Sequence, residues 1–194
     1  MRDIFTRIYQ GNLWNSTESK SGTGSELKQT ALLIGGLSIL IHQLNIRSIL
    51  DIPCGDFNWM NQVDLNGINY IGGDIVWQIV QENKQRFDQK FIELDLVHSD
   101  LPCVDLLICR DCLVHFSYAD IQLAMDNIRR SGCKYLLATT FPKHQNRDIV
   151  TGEWRPINLQ SEPFNFPDPN LIINEGCSEF DGLFSDKSMA LWKI

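Results

Sequence analysis

The segment that decides the fold is SILDIPCGDFNWM, residues 48–60. It opens with a short apolar run at 49–52, which is typical of a strand buried on both faces of a sheet. Pro53 has no amide hydrogen to continue a ladder, and the turn at Gly55 lets the backbone approach a ligand closely. Residues 57–63 then favour the first turns of a helix. This order of strand, glycine turn and helix is the usual cofactor-binding corner of an open α/β sheet.

Two further predicted strands, 70–75 and 91–94, carry aspartates at their carboxyl ends, Asp74 and Asp95. Asp74 follows Gly55 by about 20 residues, the spacing at which an acidic residue meets ribose hydroxyls in dinucleotide folds. A dinucleotide site would also need the three glycines of G-x-G-x-x-G, and this turn has one. The pattern therefore favours a cationic, adenosine-bearing ligand without a pyrophosphate.

Strands and helices alternate along most of the chain, with one further amphipathic helix predicted at 76–87. This alternation indicates a parallel sheet with right-handed crossovers. The last two predicted strands, 171–174 and 188–193, are joined by a connection too short for a helix. We expect them to pair antiparallel.

Residues 50–56 resemble the first motif of class I S-adenosylmethionine (SAM)-dependent methyltransferases. Asp74 and Asp95 stand where the second and third motifs of that family would place them. The resemblance covers residues 25–140 well. It implies a Rossmann-like α/β fold, doubly wound around a mostly parallel seven-stranded sheet with an antiparallel last strand pair, and SAM as the cofactor.

The resemblance also implies a role for each motif residue. Asp51 and Gly55 would hold the methionyl end of SAM, and Asp74 would hold both ribose hydroxyls. Asp95, with the backbone of the next residue, would face the adenine amine. The residues expected to contact the cofactor are Asp51, Cys54, Gly55, Asp56, Trp59, Asp74, Ile75, Asp95, Leu96 and Arg110. Of these, Asp56 replaces a residue that is commonly small in the family, and it would contact the cofactor ammonium.

Composition and charge limit the partners that this chain can have. It has 194 residues, 43% of them hydrophobic and 21% charged, as in an ordinary soluble globular protein. The net charge is −7 and no basic cluster exceeds Arg129 and Arg130, so a nucleic-acid partner is not expected. No signal peptide or membrane-spanning segment is predicted, which favours a cytoplasmic protein without a membrane partner. The pair Cys109-x-x-Cys112 lacks a second ligand pair, so no metal is expected.

The chain divides at about residue 25. Residues 1–24 are predicted to form a lid or a flexible segment because they end in a Ser-, Gly- and Thr-rich run, and a frayed terminus is the alternative. Residues 25–194 would form one SAM-binding domain that starts with a helix capped by Ser25. A Gly35-Gly36 pair weakens that helix unless something packs closely against it.

The predicted strand at 105–109 runs directly into Arg110 and Asp111 and resembles the fourth motif of the family, which faces the methyl group and the acceptor. His115 is the first candidate for a general base, since its unperturbed pKa lies near neutrality, and Asp111 is the second. Two alternatives stay open. The Arg–Asp pair would merely shape the loop, and the histidine would merely bond the backbone.

Residues 141–170 are predicted to form a substrate loop. They carry five of the seven prolines and show no helical period, which is typical of a functional loop. Trp154 and Phe164 offer flat surfaces to a sugar face or an aromatic ring, and Arg155 offers a handle for an anion. The alternative is that these aromatic residues only pack the loop onto the sheet.

The reaction implied by the resemblance is displacement of the SAM methyl group by an acceptor atom, with oxygen or nitrogen favoured. The expected acceptor is a small molecule or a glycan-type, sugar-like group. A catalytically inactive SAM-binding partner or sensor is the main alternative. A nicotinamide or nucleotide-sugar enzyme is disfavoured by the missing glycines. The sequence does not define the oligomeric state.

Overall fold

The computed structural model describes all 194 residues and contains one seven-stranded sheet. The strand order is β3-β2-β1-β4-β5-β7-β6, and only the pairs that involve β7 are antiparallel. This confirms the predicted fold class. The strands are β1 Ser48–Asp51, β2 Asn69–Asp74, β3 Lys90–Glu93, β4 Leu106–Cys109, β5 Tyr135–Thr140, β6 Leu171–Asn174 and β7 Ser188–Lys193. The helices are α1 Arg2–Gln10, α2 Leu27–Gln43, α3 Trp77–Arg86 and α4 Tyr118–Ser131.

The central strands are buried on both faces, as their apolar runs predict. Adjacent residues such as Ile49 and Leu50 belong to two different core clusters because successive side chains of a strand point to opposite faces. One cluster packs against α4 and the other against α2. In α2, a side chain at Gly36 would lie 2.8 Å from Ile173 of β6, which accounts for one of the two mid-helix glycines. None of the helices is both long and apolar enough to span a bilayer.

The prediction of a helix at 57–63 is wrong. The chain forms only a 3₁₀ turn, Met60–Gln62, and Phe57 has a left-handed backbone with φ of 60°. The Phe57 ring is buried against Tyr70, Phe87 and Phe91, with ring centroids about 5 Å apart. A left-handed residue ends any regular helix, so burial of this ring takes precedence over local helix propensity.

The predicted cap of α2 is also wrong. Ser25 lies in a 3₁₀ turn, and Glu26 occupies the capping position without a side-chain hydrogen bond to the helix. The free amide of Leu27 instead donates to the Glu18 carboxylate at 2.7 Å. A residue nine positions upstream therefore satisfies the helix terminus, and the N-terminal segment is part of how α2 begins.

The sequence-based prediction missed α1, which packs beside α3. The Tyr9 hydroxyl donates to Glu82 at 2.7 Å, and the Lys20 ammonium lies 3.6 Å from the same carboxylate. Through α1 and the turns that follow it, residues 1–24 cross the edge of the sheet at which the parallel strands end.

Arg155 fastens the 141–170 loop to the protein. Its side chain is fully buried, and its guanidinium donates to the carbonyls of Leu113, Phe116 and Arg147 at 2.6, 2.8 and 3.2 Å. Burial lowers the pKa of this guanidinium to about 10. The loop also contributes Ile157 to the core. The loop therefore has an extensive structural role.

We predict that Arg155→Met lowers the free energy of unfolding by about 2–4 kcal/mol, because buried carbonyls lose their donor. Chemical denaturation of the ligand-free protein measures this. Arg129→Met is the matched control, since Arg129 is exposed on α4, and it should change stability by about 0.5 kcal/mol or less. Equal stability of the two variants would contradict the structural role of Arg155.

Candidate functional site

The carboxyl edge of the sheet holds two adjoining cavities. The first encloses about 980 Å³, its open mouth included. It lies between the ends of β1, β2 and β4 and is covered by residues of the N-terminal segment, including Phe5, Tyr9 and Trp14. Eight of the ten predicted cofactor residues line it together: Cys54, Gly55, Asp56, Trp59, Asp74, Ile75, Leu96 and Arg110.

The glycine turn and the β2 aspartate are joined by hydrogen bonds. Gly55 has φ of 53°, and its amide donates to Asp74 Oδ2 at 3.1 Å, while the Val76 amide donates to Oδ1 at 2.9 Å. A side chain at Gly55 would lie 2.2 Å from Ser21 Oγ, so only glycine fits beneath the N-terminal segment. Burial raises the pKa of Asp74 to about 6, and the backbone donors oppose that rise. Asp74 is therefore a carboxylate at neutral pH.

Asp56 connects the glycine turn to the N-terminal segment. Its carboxylate accepts hydrogen bonds from the Ser19 hydroxyl at 2.9 Å, the Lys20 amide at 2.8 Å and the Ser21 hydroxyl at 3.1 Å. These three donors occupy the carboxylate that the sequence assigned to a cofactor ammonium. Asp56 still lines the cavity, and it holds the covering segment in place.

Asp51 and Asp95 are the two predicted cofactor residues that do not line the cavity. The Asp51 carboxylate is buried and accepts a 2.8 Å hydrogen bond from the Tyr70 hydroxyl. Burial raises the pKa of Asp51 to about 7, against the opposing effect of that hydrogen bond. Asp95 accepts from the Val97 amide at 2.8 Å and lies 3.0 Å from the His98 ring, so it shapes the turn after β3.

Four charged side chains form a cluster, here called the ion cluster, beside the cavity: Arg110, Asp111, Glu175 and Lys187. Arg110 donates to Glu175 at 2.6 and 3.2 Å and lies 3.3 Å from Asp111. The Lys187 ammonium lies 2.6 Å from Asp111 and 3.5 Å from Glu175. Burial acts to raise the pKa of Asp111, but Lys187 and Arg110 together lower it to about 2.

His115 stands at the boundary between the two cavities. Its Nδ1 lies 2.9 Å from the Glu153 carbonyl, an acceptor only, so Nδ1 carries the proton and Nε2 keeps its lone pair. Burial lowers the pKa of the ring below its usual 6.5. The Trp14 ring lies 5.4 Å away, centroid to centroid. His115 is therefore a neutral, buried imidazole at physiological pH.

The second cavity encloses about 840 Å³, its mouth included, and shares Trp14, Ser21, Asp111 and His115 with the first. Among the predicted substrate residues, only Trp154 lines it. The structure corrects the expectation for Arg155, which points into the protein and is occupied by backbone carbonyls. Phe164 packs edge-to-face on Tyr118 at 5.2 Å, away from both cavities.

Sequence reasoning missed Glu179 and Lys187, which line the second cavity, and Glu175 of the ion cluster. A charged residue at the end of a strand is the signal that could have identified them. The predictions used this signal only for the parallel strands. Because β7 runs antiparallel, its first residues lie at the edge where the parallel strands end. Lys187, directly before β7, and Glu175, directly after β6, therefore meet Arg110 and Asp111 there.

No protein-family model matches the sequence, and no curated protein matches it. Solved structures share its fold. Human N-acetylserotonin methyltransferase in complex with SAM is 16% identical, with a TM-score of 0.66 over 98% of this chain and 59% of its own. The methyltransferase domain of a bacterial Hen1 protein is 16% identical, with a TM-score of 0.61 over 87% of this chain and 99% of its own.

Magnesium protoporphyrin IX methyltransferase from Synechocystis PCC 6803, with bound S-adenosylhomocysteine (SAH), is likewise 16% identical. Its TM-score is 0.56 over 74% of this chain and 71% of its own. Together with the strand order, these similarities show that the chain has the class I SAM-dependent methyltransferase fold.

The raised pKa of Asp51 predicts a pH-dependent stability. A carboxyl group with a higher pKa in the folded state destabilises the fold increasingly as pH rises from its unfolded pKa near 4 to its folded pKa near 7. Asp51→Asn removes this titration and keeps an oxygen for Tyr70. The free energy of unfolding of Asp51→Asn minus that of the native protein should therefore increase between pH 5 and pH 8, by on the order of 2 kcal/mol.

Denaturant unfolding of the ligand-free proteins at the two pH values measures this change. The exposed Asp100→Asn serves as the control and should follow the native protein at both. A constant difference between Asp51→Asn and the native protein would contradict the raised pKa.

Proposed function

We propose that this protein transfers a methyl group from SAM to a small-molecule or sugar-like acceptor, with SAM in the first cavity and the acceptor in the second. The observation that carries the proposal is the buried Asp74 carboxylate, which lines the first cavity beside the Gly55 turn at the carboxyl edge of this fold. Two of the structures with the same fold hold SAM or SAH.

The first cavity fits such a cofactor in its chemistry. Carboxylate oxygens at Asp74 suit the hydroxyl donors of a ribose, and the apolar walls at Ile79, Leu94 and Leu96 suit an adenine. Asp51 and Asp95 are not proposed as direct contacts, because their carboxylates face Tyr70 and the β3 turn. The net charge of −7 supports a small acceptor over a nucleic acid.

We propose His115 as the general base for a hydroxyl acceptor. SAM supplies a methyl group that is already activated by its sulfonium. The Nε2 lone pair of His115 accepts the acceptor proton, and the Asp111 carboxylate stabilises the imidazolium that results. Asp111, the second candidate base, has only this supporting role. Its pKa of about 2 makes its carboxylate too weak a base to take a proton at neutral pH.

The N-terminal segment is proposed to act as the lid predicted from its composition. Ser19, Lys20 and Ser21 bind Asp56, and Trp14 and Ser21 line both cavities. The contacts with Asp56 are hydrogen bonds rather than apolar packing, so they can be released and remade.

An inactive SAM-binding partner or sensor is the second candidate. Such a protein would need only the first cavity, in which SAM binds. The second cavity, with a neutral histidine at the shared wall, favours the enzyme.

We expect Asp74→Ala to weaken SAM binding by roughly 1–3 kcal/mol, because hydrogen bonds to a charged group are lost. Isothermal titration calorimetry measures the affinity, and a melting curve verifies that the variant is folded. Asp88→Ala, outside both cavities, is the control and should bind as the native protein does. Failure of the native protein to bind SAM, or tight binding of NAD in its place, would overturn the proposed cofactor.

The role of His115 is tested by turnover with radiolabelled SAM and pooled hydroxyl compounds. In the native protein the rate should rise with pH through the lowered pKa of His115, below 6.5. His115→Gln should lose this dependence and fall roughly 100-fold or more in turnover. His42→Gln, an exposed residue of α2, is the control. SAM binding without turnover by the native protein would support the sensor alternative.

A further inference from the structure

The second cavity is lined by more negatively charged side chains than positively charged ones. Its one cationic side chain, Lys187, is buried and held between Asp111 at 2.6 Å and Glu175 at 3.5 Å. Arg110 is likewise paired with Glu175. The ion cluster therefore contains two positive and two negative charges, and it has no unpaired cation to offer a ligand.

Glu179 adds a negative charge outside the ion cluster. It lines the second cavity, and its Oε1 accepts a hydrogen bond from the Thr23 hydroxyl at 2.5 Å. No cationic side chain lies within 4 Å of its carboxylate oxygens. Two unit charges about 4 Å apart interact by about 1 kcal/mol in bulk water and about 4 kcal/mol near a protein surface. An anionic ligand would therefore be repelled here.

Aromatic side chains form much of the remaining wall. Trp154 and Phe184 meet edge-to-face with centroids 4.9 Å apart, and Phe180 packs on Phe184 at 5.6 Å. Phe180 is 70% exposed and has a left-handed backbone with φ of 51°. Exposed aromatic surface at a cavity rim is available to a ligand that has a flat apolar face.

We infer, resting on the proposed function, that the second cavity takes an uncharged, hydroxyl-bearing acceptor with a flat apolar face, such as a sugar ring, and that Glu179 excludes anions. The acceptor stacks on Trp154 and Phe180, and its hydroxyls donate to the carboxylates of Glu179 and Asp111. A cationic acceptor is disfavoured because the sulfonium charge of SAM lies in the adjoining cavity.

The test uses the full chain with SAM bound, because the neutral thioether of SAH lacks the sulfonium charge, and three probes that share one phenyl ring. Phenyl β-glucoside is neutral, phenyl phosphate is anionic and phenethylammonium is cationic. Saturation-transfer NMR titrations detect weak binding of each. We expect the glucoside to bind and the other two to bind at least fivefold more weakly, the factor that about 1 kcal/mol supplies.

Glu179→Gln keeps the acceptor for Thr23 and removes the charge, so it should strengthen phenyl phosphate binding roughly fivefold. Glu162→Gln, exposed on the 141–170 loop outside both cavities, is the matched control and should change nothing. The inference is overturned if native protein binds phenyl phosphate as well as the glucoside, if the glucoside does not bind, or if Glu179→Gln leaves the affinity for phenyl phosphate unchanged. Calorimetry with SAM separates these outcomes from failure of the proposed function, which is a failure to bind SAM.

Discussion

The buried ion pair between Arg110 and Glu175 is the constraint on which the functional edge of this protein depends. Both side chains are almost wholly removed from solvent, at 3% and 1% exposure. Arg110 comes from the end of β4 and Glu175 from the end of β6, and the same guanidinium donates to the Gly24 carbonyl at 2.7 Å. Removing one partner of such a pair leaves an uncompensated buried charge at a cost of about 3–5 kcal/mol. One interaction thus joins the sheet centre, the sheet edge and the N-terminal segment.

Asp111 and His115, which lie beside each other at this edge, have different protonation states. Asp111, the second residue after β4, has a left-handed backbone with φ of 49°. It is held by Arg110, Lys187 and the Thr139 hydroxyl, which accepts a hydrogen bond from its amide. A residue in such a conformation persists only where its surroundings determine it, and this is common at functional sites. The ion cluster keeps Asp111 ionised, while burial keeps His115 neutral. Neighbouring groups are thereby held in opposite protonation states.

The sequence predicts the sheet well because most of its strands are short, largely apolar runs between more polar segments. It also predicts the Gly55 turn, which has the expected positive φ. The failures share one physical cause, which is that the deciding contacts are distant in the chain. Phe57 is buried by rings from other elements, and α2 begins on Glu18 rather than on its own residues.

Among the site residues, too, predictions of position based on local sequence mostly succeeded, and those that depend on distant contacts failed. Residues named by strand ends, such as Asp74 and Arg110, line the first cavity as the motifs indicated. Arg155 was predicted to bind an anion because of its charge, but in the fold it donates hydrogen bonds to backbone carbonyls of the segment before α4. The second cavity was the hardest to anticipate, since its walls come from the N-terminus, the 141–170 loop and the segment between β6 and β7.

The wall between the cavities has an energetic consequence. Trp14 and His115 touch both spaces, so any ligand that shifts either ring alters the other compartment. Thermodynamic linkage then requires that each ligand change the affinity of the other by the same factor. A partition built from side chains, rather than from a strand or a helix, would couple the two compartments whenever a ligand moved either ring.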